Sequence, residues 1–162
     1  MNADPIPVRM QSAERVSGFE GLAPVLMSPD RAFQKNAFPS GGAGMLGSAA
    51  DLLTLLETLR TGFSFVEEMT QNQTHELPVA GWPGWDYGLG FSVLRDPLAA
   101  STPESVGTWR WGGAYGHSWF VDPVQQLSVV AFTNTALEGM SGGGRFPMDI
   151  RDTVYNSFRL QY

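Results

Sequence analysis

The chain predicts an α+β fold, in which three C-terminal strands form an antiparallel sheet and a C-terminal helix packs on one face. Three observations predict it. Apolar residues recur at the helical period over 48–60 and again over 145–160. Between these segments, 87–95, 108–121 and 126–134 alternate bulk with polarity or run apolar and β-branched, as strands do. The connections are short and rich in Gly, Pro and Asp, which favours hairpins between consecutive strands. Residues 1–162 are read as one domain.

The first forty residues carry Pro5, Pro7, Pro24, Pro29 and Pro39, which break any long element. Short extended pieces are expected at 8–10 and 22–27. Pro39-Ser40-Gly41-Gly42-Ala43-Gly44 gives a turn into the first helix. Ser48 suits the N-cap, with Asp51 three residues on. Leu52, Leu55, Leu56 and Leu59 make one apolar stripe. Arg60 suits the last turn, and Thr61-Gly62 ends the helix. A second short helix is expected within 63–72. Gly81-Trp82-Pro83-Gly84-Trp85 reads as a loop, 87–95 as a strand and 96–107 as a loop. Residues 137–144 form a glycine-rich connection. The last helix has Pro147 in its first turn and a stripe of Ile150, Val154 and Phe158.

The charge balance narrows the partners. The net charge is −6 and Lys35 is the only lysine. No basic stripe exists for nucleic acid or an anionic membrane surface. No apolar run is long enough to span a bilayer. There is no cysteine, so a thiolate nucleophile, a disulfide framework and a Cys-based metal site are excluded. The histidines, His75 and His117, show no metal-ligand spacing with carboxylates, and no metal or cofactor is expected. The N-terminus has no signal-peptide apolar core, which gives a cytoplasmic default.

The stretch from Trp111 to Pro123 organises the rest. Gly112 and Gly113 let a ligand lie along a strand backbone. The stretch then alternates and stops at Asp122-Pro123, which reads as turn chemistry and not as a catalytic acid. Adjacent His117 and Ser118 on a strand point to opposite faces and cannot form a dyad. His117 reads as a structural or surface residue in preference to a catalytic base. Gly139-Met140-Ser141-Gly142-Gly143 fits a nucleophile-elbow pattern, but its glycines resist the helix that pattern needs. It reads as a loop. Trp82, Trp85, Trp109, Trp111 and Trp119 are read mostly as core, with a few available as pocket wall.

Three pieces in order carry a family resemblance. They are Pro39 to Leu52, then Tyr87-Gly88-Leu89-Gly90-Phe91, then Trp109 to Pro123 followed by Val129 to Thr135. Together they resemble the C-terminal part of the serine beta-lactamase and penicillin-binding-protein superfamily. The nearest branch is the class C beta-lactamase-like one, which holds esterases, acyltransferases and D-amino-peptide hydrolases. The resemblance covers residues 36–160. It implies a partial beta-lactamase/transpeptidase-like fold, and acyl transfer through an acyl-serine without a cofactor. Trp111-Gly112-Gly113 matches the family's third motif in its esterase-like form, and Ala114 N–H is the implied oxyanion donor. Tyr115 and His117 are the implied pocket wall.

The departures are as informative. No Ser-x-x-Lys, Tyr-x-Asn or Ser-x-Asn occurs. The resemblance therefore implies the oxyanion-side strand without nucleophile or proton relay, hence no catalytic residue and no activity for the chain alone. A non-catalytic module that binds a ligand or a protein is the alternative. Trp111 replaces the lysine that lactamases use for a substrate carboxylate, which favours ester, amide or peptide ligands. The chain is expected to behave as a truncated piece that associates with itself or with a missing N-terminal half.

Overall fold

The computed structural model describes residues 33–42, 45–62, 64–75, 77, 79, 81–133 and 144–159, and the backbone at 11–12 and 135–136. The elements run β1 (Gln11–Ser12), α1 (Ala49–Gly62), α2 (Phe65–Met69), β2 (Trp85–Tyr87), β3 (Ser92–Leu94), β4 (Trp109–Gly113), β5 (His117–Asp122), β6 (Leu127–Phe132), β7 (Thr135–Ala136) and α3 (Arg145–Arg159). The main sheet has five strands in the order β2-β3-β4-β5-β6, every neighbour antiparallel. A separate parallel pair joins β1 to β7.

Helix α1 starts as its sequence dictates. Ser48 N–H donates to Asp51 Oδ2 at 3.0 Å and Asp51 N–H donates to Ser48 Oγ at 3.1 Å, a reciprocal capping box. Leu56 is buried, and Leu52 and Leu59 pack beside it. Leu55, expected on the same stripe, is 53% exposed at its rim. The sheet-facing stripe is thus narrower than the leucine pattern suggests.

The core lies between α1 and one sheet face. Leu56, Phe91, Val93, Trp109 and Val121 form it. Phe91 stacks on Trp109 with centroids 4.7 Å apart, and Trp119 meets Trp109 edge-on at 5.6 Å. The other sheet face carries Phe120, on which Tyr155 of α3 stacks at 6.1 Å. The expected C-terminal helix therefore packs on one face, and α1 covers the opposite one. Its anchor is Tyr155, while Phe158 of the expected stripe is 44% exposed.

Two expected strands are corrected. Residues 87–95 and 108–121 are not single strands. The first spans the chain reversal between β2 and β3, and the second is the β4–β5 hairpin. At the first reversal Gly88 N–H donates to Phe91 O at 2.9 Å, and Gly90 takes φ +100°. At the second, Gly116 N–H donates to Gly113 O at 3.0 Å, and Gly116 takes φ +83°. Both conformations suit glycine, which has no Cβ to clash. The third expected strand, 126–134, is β6. Residues 8–10, 22–27 and the Ser141 segment lie outside the described residues. Among the described residues no helix is long and apolar enough to cross a membrane.

Candidate functional site

Strand β4 outruns one of its neighbours. All five of its residues pair with β5, but only Trp109 and Arg110 pair with β3. Trp111, Gly112 and Gly113 extend beyond β3 on that side. Backbone groups of a strand alternate between its two neighbours. Arg110 C=O faces β3, where Ser92 Oγ donates to it at 3.2 Å. Two residues on, Gly112 points its N–H and C=O the same way, past the end of β3. Gly112 is itself buried, and those two backbone groups have no strand partner on that side among the described residues.

The six expected site residues share one hairpin. Trp111, Gly112 and Gly113 end β4, Ala114 and Tyr115 form the turn, and His117 opens β5. The turn is fixed from β6, because Thr133 N–H and Oγ1 both donate to Gly116 O, at 2.6 and 2.9 Å. Trp111 is half-buried, packs against the core and meets Tyr87 edge-on at 5.4 Å. Tyr115 is exposed at the tip.

Gly113 has a different reason for being glycine than ligand approach. A Cβ there would lie 2.1 Å from His117 Cε1 and 2.6 Å from Nε2. The imidazole occupies the space over Gly113. His117 is half-buried, and burial pushes its pKa below the usual histidine value, so the ring is neutral at pH 7. It also meets Phe132 edge-on at 6.1 Å. Ser118 is buried on the opposite face, and no His117–Ser118 dyad forms.

Sequence reasoning missed the cluster behind the motif strand. Arg110 lies over Trp85 at 3.9 Å and Trp82 at 5.3 Å from the ring centroids. Its Nη1 is 3.6 Å from Glu104 Oε2, which also accepts from Thr102 Oγ1. Burial pushes Glu104 up and Arg110 down from their ordinary pKa values. The signal was present as one arginine in an otherwise aromatic and glycine strand. Asp122 was also read too narrowly. It accepts from Val124 N–H, Gln125 N–H and Ser105 N–H at 2.9 to 3.0 Å, and from Tyr155 O–H. It is turn chemistry, as expected, and it also ties α3 to the sheet.

Among the described residues no group of three His, Cys, Asp or Glu is placed to hold a metal. His75 is exposed at φ +54°.

Comparison with known proteins extends the resemblance. The family described as Beta-lactamase matches residues 3–147, reaching into the N-terminal stretch that the motifs left unread. The chain is 46% identical over 160 residues to Esterase EstB of Burkholderia gladioli, covering 95% of this chain and 40% of that protein. It superposes with a TM-score of 0.73 on the solved structure titled EstCE1, a hydrolase with promiscuous acyltransferase activity, at 49% identity over 84% of this chain and 37% of the other. The chain thus spans about two-fifths of the length of these relatives. The helix-flanked antiparallel sheet, the motif hairpin and a match from residue 3 to 147 together establish that the chain belongs to the beta-lactamase family.

Proposed function

We propose that this chain supplies the oxyanion-side strand of an acyl-transfer site that works through an acyl-serine. Residues 1–162 are one domain, a C-terminal portion of the catalytic fold, and the nucleophile lies on sequence beyond it. The observation that carries this reading is the stretch of β4 at Gly112 that β3 leaves unpaired. A substrate carbonyl lying along that stretch comes beside Ala114 N–H. Serine attack turns the carbonyl oxygen into an oxyanion, and the N–H stabilises that charge more strongly than the neutral ground state. One such donor contributes about 3–4 kcal/mol to the transition state. The name Esterase EstB supports esters as substrates, and the hydrolase and acyltransferase activity in the name of EstCE1 supports water or another nucleophile as acyl acceptor.

The chain alone is expected to be inactive, because it contains no Ser-x-x-Lys. That same absence favours a second reading, a non-catalytic module that binds a ligand or protein through this stretch of β4. Turnover of p-nitrophenyl acetate and of a chromogenic β-lactam by the purified chain tests the first point. Activity that survives Ser118→Ala and Ser141→Ala yet is blocked by a serine-directed phosphonate would reveal an unrecognised nucleophile. Complementation with a Ser-x-x-Lys-bearing N-terminal portion tests the second. Ester turnover is expected to appear, and to fall roughly 10²–10³-fold in Ala114→Pro, which removes the donor N–H. A reconstituted enzyme indifferent to Ala114→Pro would overturn the oxyanion assignment.

A further inference from the structure

Tyr87 stands beside the end of β4 and opens the Tyr87-Gly88-Leu89-Gly90-Phe91 piece of the family resemblance, a piece with no assigned part in the site. It ends β2, two strands away from Trp111 in the sheet order, yet its ring reaches Trp111 edge-on at 5.4 Å and 67°. The reach is available because β3 pairs β4 only as far as Arg110.

Its backbone is held firmly. Gln73 N–H donates to Tyr87 O at 2.8 Å, and the next two residues are fixed by Gly88 N–H to Phe91 O and Leu89 N–H to Met69 O, both 2.9 Å. Gly88 lies so close to Met69 O that a Cβ would stand 2.0 Å from it. The end of α2 therefore sets where Tyr87 stands. The ring is presented by a rigid support, which is what a recognition wall requires.

The wall is uncharged. Burial pushes the Tyr87 phenol above its usual pKa, so it stays protonated at any working pH. The neighbouring cations are engaged elsewhere. Arg110 is held over Trp82 and Trp85, beside Glu104. Arg95 contacts Asp86 and Thr70 O.

We propose that Tyr87 is a specificity-determining residue of this end of β4. With Trp111 it forms an aromatic wall that takes the aryl or short alkyl part of a neutral ester and disfavours a carboxylated one. The inference rests on the reading of β4's unpaired stretch as the ligand edge. An aromatic pair contributes beyond its buried area when a third ring can join it edge-on or offset. A carboxylate placed there would lose water without gaining a cation.

The test uses the chain itself and two probes that carry an ester-like carbonyl. Acetophenone is neutral, and 4-acetylbenzoate adds one carboxylate. Amide spectra by NMR follow Gly112, Ala114 and the Trp111 indole during titration. Acetophenone is expected to shift all three, and 4-acetylbenzoate to bind at least tenfold more weakly. Tyr87→Phe keeps the ring and is expected to bind within twofold of the parent. Tyr87→Leu keeps bulk without a ring and is expected to weaken acetophenone about three- to tenfold. The dispersion of the remaining amides shows that each variant is folded. Parent-like binding by Tyr87→Leu, with Gly112 and Ala114 still shifting, overturns the role of Tyr87 and leaves the ligand edge intact. Equal losses in Tyr87→Phe and Tyr87→Leu also overturn it, because the hydroxyl and not the ring would then recognise the ligand. If neither probe moves Gly112 or Ala114, this inference and the ligand edge fall together.

Discussion

Gly113 and His117 act as one unit, since the ring of one fills the space a side chain would need on the other. Gly113→Ala must displace the imidazole or bend the hairpin, and overpacking of that kind costs about 1–3 kcal/mol. Urea unfolding is expected to show this loss, and Gly113→Ala combined with His117→Ala to recover part of it. Full additivity of the two changes would mean that the ring does not rest on Gly113. Asp122 is the other residue whose setting decides its behaviour. Burial alone would raise its pKa, but hydrogen bonds from Tyr155, Gln125 and Ser105 outweigh that and hold it below the ordinary value. A carboxylate depressed in the folded state adds stability that is complete above its unfolded pKa of about 3.9 and is lost as pH falls through the folded value. Asp122→Asn is therefore expected to lower stability at pH 7 and to flatten the acid limb below about pH 4. Thermal melts between pH 7 and pH 2.5 check this, and an unchanged acid limb would assign that limb to other carboxylates.

At the scale of the element, β4 is fastened from behind by Arg110. The side chain of Glu104 is fully buried and that of Arg110 is 16% exposed, so each needs the other's charge. Removing one partner of a buried pair costs about 3–5 kcal/mol, whereas replacing both with apolar residues is often near neutral. Arg110→Met alone is expected to destabilise by that amount, and Arg110→Met with Glu104→Leu to recover most of it, as read by urea unfolding. A double variant no better than the single would show that stacking on Trp82 and Trp85 and not charge fastens the strand. The same elements explain what the sequence could and could not reveal. Helix α1 was legible because its cap and leucine stripe are local. The terminal helix was legible too, although its anchor Tyr155 depends on a distant Asp122 and was not. The two hairpins were misread as long strands for a physical reason. Gly88-Leu89-Gly90 and Ala114-Tyr115-Gly116 turn the chain without a break in the flanking alternation, so the period of two runs straight through. The motif residues could be named from sequence, but that Gly112 is left unpaired depends on where β3 stops, which no local pattern encodes.

For the whole molecule, the two outer edges of the sheet differ. Strand β2 is three residues long and carries Asp86, whose charge blunts pairing with another chain. Strand β6 is six residues long, Leu127-Ser128-Val129-Val130-Ala131-Phe132, with no charge, no proline and an exposed Phe132. Its residues 127, 129 and 131 oppose the members of β5 that turn away from β4, so the N–H groups of Ser128, Val130 and Phe132 face outward. Such an edge is a template for another strand. The net charge of −6 opposes self-association only weakly at physiological salt, where it is screened beyond about 8 Å. The chain is therefore expected to form dimers or larger assemblies, or to gain stability when the rest of the family fold is supplied. Light scattering across a dilution series should show mass falling with concentration. Val129→Lys sets a charge in the middle of the edge and is expected to shift the species toward monomer without lowering the melting temperature of the diluted chain. Melts with and without a complementing N-terminal portion read the second outcome. A compact monomer at every concentration, with a melting temperature unaffected both by Val129→Lys and by that portion, would show that β6 is not an available edge and that these residues fold as a self-sufficient unit.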